Sequence, residues 1–403
     1  ETGYAFTEEL TLSSMLKAAE TASAIATGAP GAEPLALASG RIPDFYPVQT
    51  LWESVGMDQK MPWLQAVNTR IYQLDPRIIK ANVYFSDSSK RILIATSEGL
   101  VVEDYQPMTT LYANAVAEQK GRRERNSYNL ANRNGADFYT PERLETLAKE
   151  TVRRTVQLFD AVRPPSGELP LVLGPGPSGI LLHEAIGHGI EADFNRKKMS
   201  IFSDKLGQKV AIPEVTIVDS GIHPNQRGSI NVDDEGALGQ ETTLVEAGVL
   251  RTYLHDRISA KHYNVAPTGS GRRESFRHPP MPRMRNTYMQ PGPHDPEAII
   301  RTVKKGIYAD AFRNGQVTIG EGSFSFYIAS GSLIEDGKLT APIKDVNIIG
   351  NGPEVLGRIT MVGNDLQIDV GGWTCGKRGQ SVPVSQGMPT TLVSSITVGG
   401  TQG

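Results

Sequence analysis

Apolar residues recur at helical spacing from Phe6 to about Thr27, through FTEELTLSSMLKAAETASAIAT, with Thr7 placed to cap a helix and Glu9 in its first turn. The Gly- and Pro-rich stretch 28–47 then reads as a surface connection, and a second helix is expected over 58–74. At residue 78 the period of the pattern changes to two. The stretch 78–133 carries β-rich runs separated by SDSSK, SEG and QKG, the pattern of an antiparallel meander. After it, 140–162 returns to helical spacing. Thr140 is the expected N-cap, Pro141 occupies the first helical position, and Leu144, Leu147, Val152, Val156 and Phe159 form the expected buried stripe.

RPPSGELP (163–170) reads as a linker, and LVLGPGPSG as a strand running into a turn with Ser178 capping the next helix. Beyond residue 205 short strands alternate with Gly-marked turns. These features predict an α+β protein: residues 1–162 as helices packed on an antiparallel meander, and 163–403 as mostly antiparallel sheet carrying one distinctive helix. The chain opens at Glu1 inside its own pattern, so a further N-terminal segment is expected upstream.

Composition narrows the function classes. At 403 residues, with 39% hydrophobic and 21% charged positions and a formal net charge of −3, the chain shows no bias towards nucleic acid or a membrane surface. Its longest apolar runs, 91–102 and 168–182, fall short of the roughly 18–20 residues that span a bilayer. A single cysteine, Cys375, excludes an intrachain disulfide framework and fits a reducing, cytoplasmic setting.

The chemistry concentrates in GILLHEAIGHGIEADF (179–194). His183 and His188 are five apart, and five residues of regular α-helix separate two side chains by roughly 140°. A single π-type turn would return them to one face, and Gly187 and Gly189 would tolerate the distortion. Catalytic zinc takes three protein ligands and keeps one position open. Glu191, His223, His255 and Cys375 all qualify as the third ligand, because ligands converge in space and sequence distance does not rank them. Cys375 lies among glycines, with Lys377 and Arg378 nearby to favour its thiolate. Glu184, next to the first histidine, points about 100° away from it, where a general base would take the proton of metal-bound water.

Other strings have plainer readings. GPGPSG (174–179) lacks the Gly-Lys-Ser/Thr ending of a phosphate loop and reads as a turn. NVDDEGALGQ (231–240) lacks the ligand spacing of a calcium loop and also reads as a turn. The basic run 271–289, GRRESFRHPPMPRMRNTYM, reads either as a solvated loop or as a set of arginine forks that grip carboxylates near the cleft.

With LLHEAIGHGIEADF, DDEG, GRRES, MPRMRNTYMQPG, LIEDGK, IIGNGPEVLGRITMVGNDL and CGKRGQSVPV in order, the chain resembles the TldD/PmbA family of zinc metallopeptidases over nearly its whole length. The resemblance implies His183, His188 and Cys375 as zinc ligands and Glu184 as the catalytic acid/base. It also implies cytoplasmic cleavage of unfolded or extended peptides in a dimer cavity, formed with a PmbA/TldE-like subunit or a second copy, without nucleic acid or membrane. Two rival readings follow from the residues alone. One is a cysteine hydrolase using Cys375, and the other a non-catalytic, metal-stabilised peptide-binding subunit.

Overall fold

The computed structural model describes residues 2–26 and 35–400; Thr27 of the first expected helix and residues 28–34 of the expected connection lie outside them. The first helix is shorter than the pattern suggests. Thr7 turns its hydroxyl to the N–H of Glu9 (3.1 Å), and the cap falls to Thr11, whose hydroxyl accepts from Ser14 N at 3.3 Å ahead of Leu12–Ile25. The Thr7 bond closes a local turn outside the helix, whose residues begin at Leu12.

The helix Met57–Leu74 and the helix Pro141–Val156, capped by Thr140, pack on one face of a four-stranded sheet. Its long strands are Ile78–Ala95, Leu100–Gln119 and Arg122–Asn132, an antiparallel meander with Leu100–Gln119 in the middle. Val67, Ile71, Leu147 and Val152 of the helices bury against Leu111, Ala113, Ala115 and Ala117, the alternate residues of the central strand. SDSSK does not break the first strand. Pairing continues from Ser86↔Thr110 to Lys90↔Gln106, so a cross-strand neighbour at every position outweighs the local turn preference.

Beyond residue 160 a second hydrophobic core takes over, from Leu171 to Val398. Gly167–Leu173 begins as a strand inside the expected linker. It pairs with Lys305–Thr318 and Thr391–Gly400; Thr391–Gly400 pairs with Val346–Asn351, Val346–Asn351 with Ser323–Glu335, and Ser323–Glu335 with Lys305–Thr318. The five strands close into a ring, which removes the free edges of an open sheet. A second seven-stranded sheet runs through Gln380–Met388, Asn286–Met289, Ile217–Ser220 and Glu241–Glu246, with Trp373–Lys377 paired to Gln380–Met388.

The basic run 271–289 is not a solvated loop. Arg272, Arg283 and Arg285 are buried, and Arg285 Nε meets Asp219 Oδ1 at 2.6 Å with both side chains fully enclosed. Asp233 turns back to accept the N–H groups of Glu235 and Ala237 (3.0 and 2.9 Å), which makes DDEG a turn.

Candidate metal centre

The strand Gly167–Leu173 ends in a turn at Gly176, whose φ of +80° favours glycine. Gly176, rather than Ser178, stands at the cap of the short 3₁₀ turn Pro177–Gly179, and the Ser178 hydroxyl donates to Gly174 O. One α-turn, Ile180–Leu182, leads into a π-turn over His183–Gly187, closed by the N–H of His188 donating to the carbonyl of His183. That closure is the i→i+5 bond that five-residue spacing requires. The two imidazoles face each other edge to face, with ring centroids 4.9 Å apart.

The glycines serve a different purpose from the expected one. Gly187 has φ −52° and ψ −55°, an ordinary helical conformation. A Cβ there would fall 2.0 Å from Met284 Sδ, and one on Gly189 would fall 2.5 Å from the Phe202 ring. Close packing, not backbone freedom, demands glycine. The same holds across the turn, where a Cβ on Gly352 would lie 1.9 Å from Ala185 O. Gly352→Ala is therefore expected to cost about 1–3 kcal/mol of stability and to lower metal affinity, since the carbonyl it strikes belongs to the π-turn. Urea denaturation and zinc titration would check both effects, and a variant matching wild type in both would contradict this account.

Cys375 arrives from the strand Trp373–Lys377, 187 residues from His188 in sequence, and its Sγ lies 3.4 Å from His188 Nε2. One donor atom each from His183, His188 and Cys375 lies within 4.8 Å of the others, and all three side chains are buried. Among the described residues His223 and His255 are not in this group. His223 packs on Tyr288, and His255 on Tyr253 and Tyr263. Glu191 stands behind the group: its Oε2 is 3.0 Å from His188 Nδ1, which fixes that nitrogen as the proton carrier and leaves Nε2 facing the sulfur.

Burial opposes charge throughout the centre. It favours a neutral His188, but Glu191 and the Cys375 sulfur hold the imidazole well above its ordinary range. Burial likewise pushes the Cys375 thiol up, and His183 and His188 more than reverse it, so the thiol sits well below its usual value. Glu191 is held at about 2, because Lys377 and His188 outweigh its burial. Lys377 is not the thiolate's neighbour that its position in the sequence suggests. Its Nζ lies 2.7 Å from Asp193 Oδ1 and 3.2 Å from Glu191 Oε2. Arg283 Nη2 donates to Cys375 O at 2.5 Å and fixes the strand instead. The roles of Asp193, Lys377 and Arg283 are not legible in the sequence; the carboxylate three residues beyond His188 is the one local signal, and spacing alone makes it a candidate ligand rather than a second support for the ring.

His183, Glu184, His188 and Cys375 line a cleft of about 1100 Å³ together with Arg313 and residues 315–319 and 323–325. Glu184 is half-buried there.

Residues 51–159 match the PmbA/TldA metallopeptidase central domain, and residues 166–400 the PmbA/TldA metallopeptidase C-terminal domain. A Haemophilus influenzae protein named as a metalloprotease TldD homologue is 40% identical over 408 residues, covering 100% of this chain and 85% of the relative. A Saccharolobus solfataricus protein named as a zinc metalloprotease TldD homologue is 34% identical over 251 residues, 62% of this chain and 55% of its own length. The fold matches that of TldE from Thermococcus kodakarensis with a TM-score of 0.76 at 19% identity, over 99% of this chain and 87% of that one.

Proposed function

Because the chain belongs to the PmbA/TldD family of metallopeptidases, we propose that it is a zinc-dependent peptidase that hydrolyses peptide bonds in extended or unfolded chains. The observation that carries this reading is the convergence of His183, His188 and Cys375 donor atoms within 4.8 Å.

The residues fit a zinc ion. Two imidazoles and a thiolate make a catalytic-type donor set with one position to spare. His188 Nε2 and Cys375 Sγ stand 3.4 Å apart, and the donors of all three side chains are buried together as ligands of one ion would be. Glu191 presets the His188 tautomer for ligation. When bound, zinc would acidify water and polarise the scissile carbonyl. The chain's own residues do the remaining work. The Glu184 carboxylate takes a proton from the attacking water as the C–O bond forms, and returns it to the leaving amine nitrogen as the C–N bond breaks. Lys377, itself held by Asp193, pairs with Glu191 and through it keeps the His188 ring in place.

Among the described residues Trp373–Lys377 is paired on one side only, with Gln380–Met388, and it borders the cleft. An extended substrate would add to that free edge, giving recognition through backbone with little side-chain selectivity. We divide the chain into an N-terminal unit, 1–162, and a metallopeptidase unit, 163–403. We place the enzyme in the cytoplasm, paired with a TldE-like subunit or a second copy. The fold shared with a TldE supports a pairing of like subunits.

A thiolate beside an imidazole is also what a cysteine hydrolase presents, and chelation separates the two readings. Treatment with 1,10-phenanthroline is expected to abolish cleavage of an unfolded, fluorescence-quenched protein substrate, with recovery on adding zinc and about one zinc per chain by mass spectrometry. Full activity of metal-free protein would overturn the metallopeptidase reading.

A further inference from the structure

The hairpin that carries Cys375 has a second side. Behind it lies a cavity of about 810 Å³, separate from the metal cleft and bordered by Thr374, Val382 and Pro383 of the same hairpin. Lys90, Arg133, Arg227 and Arg272 border it from four stretches of chain. Each of these cations is held by neutral oxygens or an aromatic ring. Lys90 Nζ donates to Glu274 O (2.8 Å), and Arg133 Nε to Arg227 O (3.1 Å) with its guanidinium 5.1 Å from the Tyr46 ring centre. Arg227 Nε donates to Trp373 O (2.9 Å), and Arg272 Nη2 to Pro383 O (2.8 Å). Arg227 Nη1 is buried and has no partner among the described residues.

Carboxylates on the same wall are engaged elsewhere. Asp233 Oδ2 accepts from Gly271 N at 2.9 Å, beyond its own turn. Asp234 accepts from Arg273 N at 2.9 Å and lies 3.7 Å from that guanidinium, and Glu274 accepts from Ser381 N at 2.7 Å. Arg91 and Arg273 add two further cations, so six positive side chains face three acids around the cavity. Burial, and then the repulsion of Arg133, push Arg272 down to about 9 and Arg227 to about 10, the mark of guanidinium groups without enough counter-charge. Ile92, Ile94, Met108 and Val232 supply an apolar side to the same space.

We propose that this cavity is a binding site for an organic carboxylate on an apolar body, its oxygens received by Arg227, Arg133, Arg272 and Lys90. A planar guanidinium matches a carboxylate in two parallel hydrogen bonds, and the apolar strands suit the body of an apolar peptide end. The three acids already on the wall disfavour a phosphate dianion. The site is independent of the metal reading, since none of its cations takes part in the metal group. A peptide ending in a free carboxylate is the chemistry that fits it best.

The test is calorimetric titration of the full chain with N-acetyl-Leu-Phe, with its C-terminal amide, and with inorganic phosphate. The free acid is expected to bind at least about tenfold more tightly than the amide and than phosphate, and more weakly as salt rises. Arg227→Met should weaken the acid by about tenfold or more. Lys90→Gln, on an exposed residue whose loss leaves the core untouched, should weaken it several-fold with an unchanged thermal melt. Equal affinity for acid and amide, tighter binding of phosphate than of the acid, or wild-type affinity in both variants would overturn the proposal.

Discussion

Replacing Glu184 by Gln is expected to lower kcat for peptide hydrolysis by roughly 10²–10⁴-fold, the usual contribution of a general acid/base, while zinc content stays at the wild-type level. At about 1.4 kcal/mol per factor of ten, this removes roughly 3–6 kcal/mol of transition-state stabilisation. The effect is confined to chemistry because Glu184 lines the cleft without belonging to the group of metal donors. The amide keeps the shape and the half-buried packing of the carboxylate but cannot take a proton. Single-turnover kinetics alongside zinc analysis would check the result. Wild-type turnover would remove Glu184 from its assigned role, and loss of zinc together with turnover would make it part of the metal's environment instead.

The second large effect is expected of Cys375→Ala. Removing the sulfur should weaken zinc binding by more than the 10–100-fold typical of losing an outer partner, and should abolish turnover at ordinary zinc concentrations. It should also uncouple stability from zinc. A ligand present at 100 times its Kd stabilises the native state by about 2.7 kcal/mol, so the wild-type Tm should rise on adding zinc and the variant's should not. The comparison with Glu191→Gln is informative, because Glu191 reaches the centre only through His188 Nδ1. That variant should lose zinc affinity by about 10–100-fold yet recover activity when zinc is raised. A Cys375→Ala protein with a wild-type zinc-dependent rise in Tm would exclude the sulfur as a ligand.

Much of the fold could be read along the chain. The helices Met57–Leu74 and Pro141–Val156 and the meander between them follow from periodicity, the Thr140 cap and the glycine-bearing turns. Misreadings fell where a distant partner outweighed a local preference. SDSSK looks like a turn until an adjacent strand offers it a full ladder, and GRRESFRHPP looks solvated until Arg272 is found beneath the 373–388 hairpin, donating to Pro383 O. In the candidate site, the five-residue spacing of two histidines demanded a π-turn, a local backbone requirement, and the turn is there.

What the sequence determined by itself, then, is whatever depends on neighbours a few residues apart: the period of each element, its caps, and the distortion needed to align His183 with His188. It could not rank Glu191, His223, His255 and Cys375, because convergence across 187 residues is set by how two sheets pack and not by any spacing. The tertiary structure brought the Cys375 sulfur to the imidazoles, sent Glu191 behind them, and gave Lys377 to the carboxylates. Burial is the physical reason. Once water is excluded, a charged side chain takes the partner that packing leaves within reach, and only the folded chain specifies which one that is.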